Sequence, residues 1–134
     1  MAKTKVFTIT VQNQPGAVAA IAKALGSAKV NILGLLGTAQ GATGSVRLVA
    51  EDAKRAKEVL DEAKLGYEET GAEQQELPNK PGALAQHLEK LAAKGVNLSS
   101  IHATAVKGGK KAVVVYTVEA PAKASEPQAR TASA

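Results

Sequence analysis

The chain states one passage twice. Asn13-Gln14-Pro15-Gly16-Ala17-Val18-Ala19 returns as Asn79-Lys80-Pro81-Gly82-Ala83-Leu84-Ala85, 66 residues later. The offset then holds: Leu25 matches Leu91, Val30-Asn31 matches Val96-Asn97, and Thr38-Ala39 matches Thr104-Ala105. A repeat of this length means that each copy is one supersecondary unit. A unit of about 66 residues is near the lower limit for a self-sufficient core, so the two units are expected to share a core or an interface.

Patterning divides each copy into elements. In Val-Phe-Thr-Ile-Thr-Val (6–11), Phe7, Ile9 and Val11 alternate with Val6, Thr8 and Thr10, as the two faces of a strand do. After the Asn-Gln-Pro-Gly turn, Val18, Ile21, Ala22 and Leu25 recur at helical spacing over 16–28. A second strand is expected over Val30–Thr38, a hairpin turn at Gly41-Ala42-Thr43-Gly44, and a third strand over Ser45–Ala50. Asp52 is placed to cap a second helix, with Ala56, Val59, Leu60 and Ala63 inward and Gly66 at its end. A short strand over Tyr67–Thr70 completes a β-α-β-β-α-β unit.

The second copy begins alike, with a polar strand over Glu73–Leu77 and a helix carrying Leu84, Leu88 and Leu91 that stops near Gly95. A strand over Val96–Val106, a turn at Lys107-Gly108-Gly109-Lys110 and a strand over Ala112–Val118 follow. The pattern then stops: Ala120–Ala134 is rich in Ala, Pro, Ser, Lys and Glu, and reads as a mobile tail. The expected fold is α+β: two ferredoxin-like βαββαβ units, antiparallel sheets with helices on one face, the second unit truncated. The expected boundaries are 1–71, 72–120 and a tail at 121–134. Truncation is expected to leave the first strand of the second unit with an unpaired edge and its sheet partly uncovered.

The repeated turn can bind. Pro fixes φ and lacks an N–H, and Gly brings no side chain. The helix behind the turn begins with N–H groups that have no internal acceptor: those of Gly16, Ala17 and Val18, and of Gly82, Ala83 and Leu84. With the positive end of the helix dipole they suit a carboxylate. Asn13 and Asn79 are expected to offer an amide at the rim. The competing reading is that Pro and Gly merely reverse the chain.

Strand, Asn-x-Pro-Gly-Ala, helix, then Val-Asn-Ile or Val-Asn-Leu opening the next strand: over roughly residues 5–119 this resembles the ACT domain, and in tandem the stand-alone tandem ACT proteins. The resemblance implies a regulatory module, without catalysis, that binds an amino acid or related small molecule between two units. One unit's Pro-Gly turn and the start of a neighbour's second strand would form the site. It implicates Asn13, Gln14, Pro15, Gly16 and Ala17 with Asn31, Ile32 and Leu33, and Asn79, Lys80, Pro81, Gly82 and Ala83 with Asn97, Leu98 and Ser99. Gln14 against Lys80, and Leu33-Gly34 against Ser99-Ser100, make the two sites unequal, the second being the better suited to an α-carboxylate.

Other chemistry finds little support. With no Cys, thiolate metal sites and disulfides are excluded, and a reducing, cytoplasmic setting is expected. The start of the chain has no long apolar run for a leader or membrane span, and no membrane partner is expected. The net charge of +5 is spread over scattered Lys and Arg, and the aromatics are only Phe7, Tyr67 and Tyr116, so no nucleic-acid partner is expected. His87 aligns with Ile21 and His102 with Leu36; neither has a partner at metal-ligand spacing, and no nucleophile motif or Gly-Lys-Ser/Thr loop is present. No cofactor is expected. Three readings stand: an amino-acid-binding homodimer, a regulatory subunit docking on a biosynthetic enzyme of the acetolactate synthase type, and a structural pairing domain without ligand.

Overall fold

In a computed structural model, which describes residues 2–119, the elements run β1 (Ala2–Gln12), α1 (Ala17–Ser27), β2 (Ile32–Gln40), β3 (Thr43–Ala50), α2 (Ala53–Glu62), β4 (Tyr67–Pro78), α3 (Ala83–Ala93), β5 (Leu98–Ala105) and β6 (Lys111–Val118). The strands make one antiparallel sheet in the order β2-β3-β1-β4-β6-β5. The first unit has its expected βαββαβ order, and the second lacks a second helix among the described residues. The tail expected at 121–134 lies outside the described residues.

The two short strands expected at Tyr67–Thr70 and Glu73–Leu77 are one. Gly71-Ala72 does not break the chain, because β4 has a pairing partner on each side. Tyr67–Gln74 pairs with β1, and Glu73–Pro78 pairs with β6. The edge expected to be open in the second unit is therefore covered by β1. Among the described residues the true edges are β2 and β5.

Register places all three helices on one face. Phe7, Ile9, Val46 and Leu48 meet Ile21 and Leu25 of α1 and Ala56, Val59 and Leu60 of α2 in one buried cluster. Phe7 stands opposite Glu69 and Glu73 opposite Tyr116, which carries the same face across β4 to β6. There Val114 and Tyr116 pack against Leu88 and Leu91 of α3. The opposite face carries none of the described helices, yet Val6, Val49, Ala72 and Val115 are buried there. The sheet is rolled. Residues of β2 and β5 come within 8 Å, Cα to Cα, and a Cβ on Gly34 would lie 3.9 Å from Thr104 Oγ1.

His102 lies on that rolled face, opposite Val115 in the ladder. Both its ring nitrogens are buried without a partner among the described residues. Burial, and then the nearby Arg47 guanidinium, hold its pKa below the ordinary value. The expected strand position of this histidine is thus observed, on the face that the sheet alone encloses.

Every helix ends alike. Val30 N–H donates to Leu25 O (2.9 Å), Leu65 N–H to Leu60 O (3.1 Å) and Val96 N–H to Leu91 O (3.0 Å), each with a left-handed residue just before it. At the equivalent positions of α1 and α3 that residue is Lys29 (φ 62) and Gly95 (φ 78); for α2 it is Lys64 (φ 59), not the expected Gly66. A lysine pays a steric cost in this conformation that glycine does not.

Two outcomes are expected. Lys29→Gly should raise stability by about 0.5–1 kcal/mol, the left-handed penalty less the entropy that glycine adds to the unfolded chain, as read by chemical denaturation. His87 and His102 both have lowered pKa values in the fold, so the unfolded chain binds more protons below an ordinary histidine value of about 6.5. Stability should therefore fall as pH drops through about 6.5. His102→Leu, which restores the first unit's residue, should flatten that slope without abolishing it, because His87 remains.

Candidate ligand-binding site

Each Asn-x-Pro-Gly turn is a type II turn that opens directly into a helix. Ala17 N–H donates to Gln14 O (3.3 Å) and Ala83 N–H to Lys80 O (3.2 Å), with Pro at the second position and Gly at the third. Gly16 (φ 88, ψ −10) and Gly82 (φ 87, ψ −14) hold the left-handed values that this position requires. Nothing stands within 4 Å of a Cβ built on either glycine. The backbone angle demands glycine, and the space beyond it is open.

The helix starts are bare. Neither α1 nor α3 has a side-chain cap or an acidic residue in its first turn. By contrast Asp52 caps α2 as expected, its Oδ1 accepting from Arg55 N–H at 3.0 Å. The first helical bonds are Ala20 N–H to Gly16 O and Gln86 N–H to Gly82 O. The N–H groups of Gly16, Val18 and Ala19, and of Gly82, Leu84 and Ala85, accordingly have no acceptor among the described residues. The expected set was Gly, Ala and the next residue in each turn. Closing the type II turn consumes the alanine N–H and leaves the residue after the pair as the third donor.

The asparagines act inward. Asn13 Nδ2 donates to Gly41 O (2.8 Å), and Asn79 Nδ2 donates to Gly109 O (2.9 Å) and Val106 O (3.1 Å). Their main chains join the same loops, Asn13 N–H to Ala42 O and Asn79 N–H to Lys110 O. Each asparagine ties its turn to the adjacent hairpin. Asn79 has both amide hydrogens engaged, which leaves only Oδ1 for a ligand, whereas Asn13 keeps Oδ1 and one amide N–H. These bonds also show that the repeat offset grows from 66 to 68 after the second hairpin, which is two residues longer than the first.

The second-strand starts lie far from their own turns. A cleft of about 190 Å³ beside the second turn is lined by Asn79, Lys80, Ala83 and Leu84 and closed by Ala103–Ala105 of β5, the far end of that strand. The small side chains of Ala103, Ala105 and Ala112 leave the room, a signal visible in the sequence but not linked to the turn. Strand direction sets Asn97, Leu98 and Ser99 at the end of the sheet that holds the first turn, and Asn31, Ile32 and Leu33 at the end that holds the second. Three strand spacings, about 14 Å in a flat sheet, separate each start from the turn at its own end.

Ser99 and Ser100 are also spoken for. Both hydroxyls bond Thr117 Oγ1 at 2.6 Å. With the offset of 68, Thr117 takes the place of Val49, which packs with Leu33 in the first unit. A hydrogen-bonded Ser-Thr group thus replaces an apolar contact at the strand's bulge, and the serine polarity expected to favour a carboxylate is spent inside the sheet. Lys80 remains as the difference between the two turns.

No cluster of three or more His, Cys, Asp or Glu able to hold a metal occurs among the described residues. No described helix is long and apolar enough to cross a membrane. His87 is half-buried on α3, as its alignment with Ile21 suggests, with its ring 5.9 Å from that of Tyr116.

A comparison with curated protein sequences finds no match. Among solved structures, protein BT0572 from Bacteroides thetaiotaomicron is similar at 25% identity and a TM-score of 0.76, over 87% of this chain and 79% of that one. The regulatory subunit of aspartate kinase from Thermus thermophilus, in its ligand-free form, is similar at 18% identity and a TM-score of 0.63, over 86% and 82%. The corresponding subunit from Thermus flavus gives 18% and 0.55 over the same shares. The likeness to the kinase subunits is one of fold. The ACT domain family model matches residues 5–64, the span from β1 through α2 that holds the first Asn-x-Pro-Gly-Ala turn and its uncapped helix. Residues 5–64 are an ACT domain.

Proposed function

We propose that this chain is a regulatory module without catalysis of its own, which binds a small amino acid or related carboxylate at the starts of α1 and α3. The observation that carries this reading is the contrast among helix starts. α2 is capped by Asp52, while α1 and α3 begin with free N–H groups beneath a Pro-Gly turn and no acid nearby. Three convergent donors at the positive end of a helix bind a carboxylate without help from a charged side chain. The proposed contacts are the turn residues 13–17 and 79–83 with the second-strand starts 31–33 and 97–99. The proposed unit boundaries stay near residue 71, within β4.

A second copy of the chain completes the site in this account. Val18 on α1 and Leu35 on β2, and their repeat equivalents Leu84 on α3 and Ile101 on β5, are each 38–39% exposed. They form two matching apolar borders, which suits a two-fold pairing. Val106, 71% exposed at the tip of the second hairpin, supports the alternative in which the module docks on a larger amino-acid biosynthetic enzyme. Two solved neighbours of the same fold are regulatory subunits of an aspartate kinase.

A thermal-shift screen of the common amino acids should find one that raises stability by roughly 2.7 kcal/mol at about 100 times its dissociation constant. Titration calorimetry with that ligand should resolve two unequal sites, since Lys80 faces only one of them. Val18→Asp and Leu84→Asp place a carboxylate in the first helical turn, where the dipole favours it, so the fold should hold. Each should weaken its own site by about tenfold or more, equivalent to about 1.4 kcal/mol. Gly16→Asp and Gly82→Asp are poorer tests, because the left-handed backbone strains any replacement. No response from any amino acid would favour a structural pairing domain. Co-purification with a much larger enzyme would favour the docking subunit.

A further inference from the structure

Among the described residues, the two units differ most where the second has no counterpart of α2. In the first unit, Ile9, Ile21 and Leu25 are buried with Ala56, Val59 and Leu60 of α2, and Ala24 and Ala28 pack against that cluster. The repeat carries these positions to Gln75, His87, Leu91, Lys90 and Lys94. Four of the five have changed from apolar to polar or basic. All five line a single cleft of about 400 Å³ between α3 and β4, with Lys80 at its other end. An 11-residue helix is about 16 Å long, so the cleft runs the length of α3.

The cleft is built for negative charge. It has no acidic lining residue among the described residues. Lys80, Lys90 and Lys94 make no ion pair among the described residues, whereas Lys3 pairs with Glu73 at 2.7 Å and Lys57 of α2 with Glu69 at 3.3 Å. His87, Lys90 and Lys94 follow i, i+3, i+7 spacing and share one stripe of α3. His87 lines the cleft, and its Nε2 is buried without a hydrogen-bond partner among the described residues. Interaction with the helix dipole accounts for lysines near the end of α3. It does not account for the unpartnered imidazole or for Gln75 and Lys80 at the other end.

We propose that the cleft between α3 and β4 is a second binding site, for a small polyanion that carries a phosphate or two or more carboxylates. Its volume suits a ligand of that size. The anion would sit against Lys90 and Lys94, beside the His87 ring. An apolar helix like α2 is a poor occupant, since its Val and Leu positions would face Gln, His and Lys. The site adjoins the one under Proposed function, with which it shares Lys80 and Ala83. Lys90 and Lys94 belong to it alone.

Burial, and then Lys90 and Lys94, lower the pKa of His87. A bound polyanion reverses the effect of the lysines. Glu73 and Tyr116 stand on the neighbouring strands, and among the described residues no carboxylate lines the cleft to act in its place. His102, the other imidazole of the chain, lies on the opposite face beside Arg47 and serves as an internal reference. The test is an NMR pH titration of both imidazoles in the full chain, with inorganic pyrophosphate, with citrate, and with sodium chloride at matched ionic strength. The midpoint of His87 should rise by about one pH unit with at least one polyanion, while His102 stays within the salt control. Which polyanion acts distinguishes phosphate from carboxylate recognition. Lys90→Ala/Lys94→Ala, which restores the first unit's residues on a helix that favours alanine, should abolish the rise. The proposal is overturned if His87 moves no further than in sodium chloride, if both histidines move together, or if the double variant leaves the rise intact.

Discussion

β4 is the strand on which both units depend. A ferredoxin-like unit of about 60 residues buries too little to stand securely alone. Here the last strand of the first unit continues, without a turn, as the first strand of the second, and Glu73 and Gln74 pair with β1 on one side and β6 on the other. A break at Gly71-Ala72 would uncouple the halves and expose two strand edges. Because β4 is continuous, one sheet serves both units, and among the described residues only β2 and β5 remain as edges. The roll of that sheet brings those edges together and buries Val6, Val49, Ala72 and Val115 on a face that no described helix covers.

The continuous strand also fixes where the two turns lie. β1 and β4 run antiparallel, so the Pro-Gly turn after each opens at opposite ends of the sheet. Asparagine locks each turn to the neighbouring hairpin, and the type II geometry leaves three N–H groups free at each helix start. Packing and hydrogen bonding thus hold the turns rigid while their donors face outward, which is the arrangement that anion recognition by backbone requires.

Much of this was legible because proline and glycine dictate backbone directly. Asn-x-Pro-Gly-Ala fixed both the turn and the helix start, and Asp52 announced its own cap. The helical and strand periodicities gave the element order of the first unit. What escaped the sequence depends on contacts between distant residues. Gly71-Ala72 reads as a break until two pairing partners are seen. Ser99 and Ser100 read as exposed polarity until Thr117 is found across the ladder, because the offset of 66 aligns the wrong residue with Val49. Asn79 reads as a ligand group until the hairpin carbonyls of Val106 and Gly109 appear beside it. Lys90 and Lys94 read as two of many scattered lysines until the fold shows that they line one cleft beside α3.

The central claim is that free backbone donors at two helix starts receive a carboxylate. Amide NMR of the full chain, titrated with a mixture of the common amino acids, tests it directly. The account predicts that the amide resonances of Gly16, Val18, Ala19, Gly82, Leu84 and Ala85 move downfield as hydrogen bonds form, ahead of those in the capped first turn of α2. Saturable binding that leaves these six amides unmoved would contradict it.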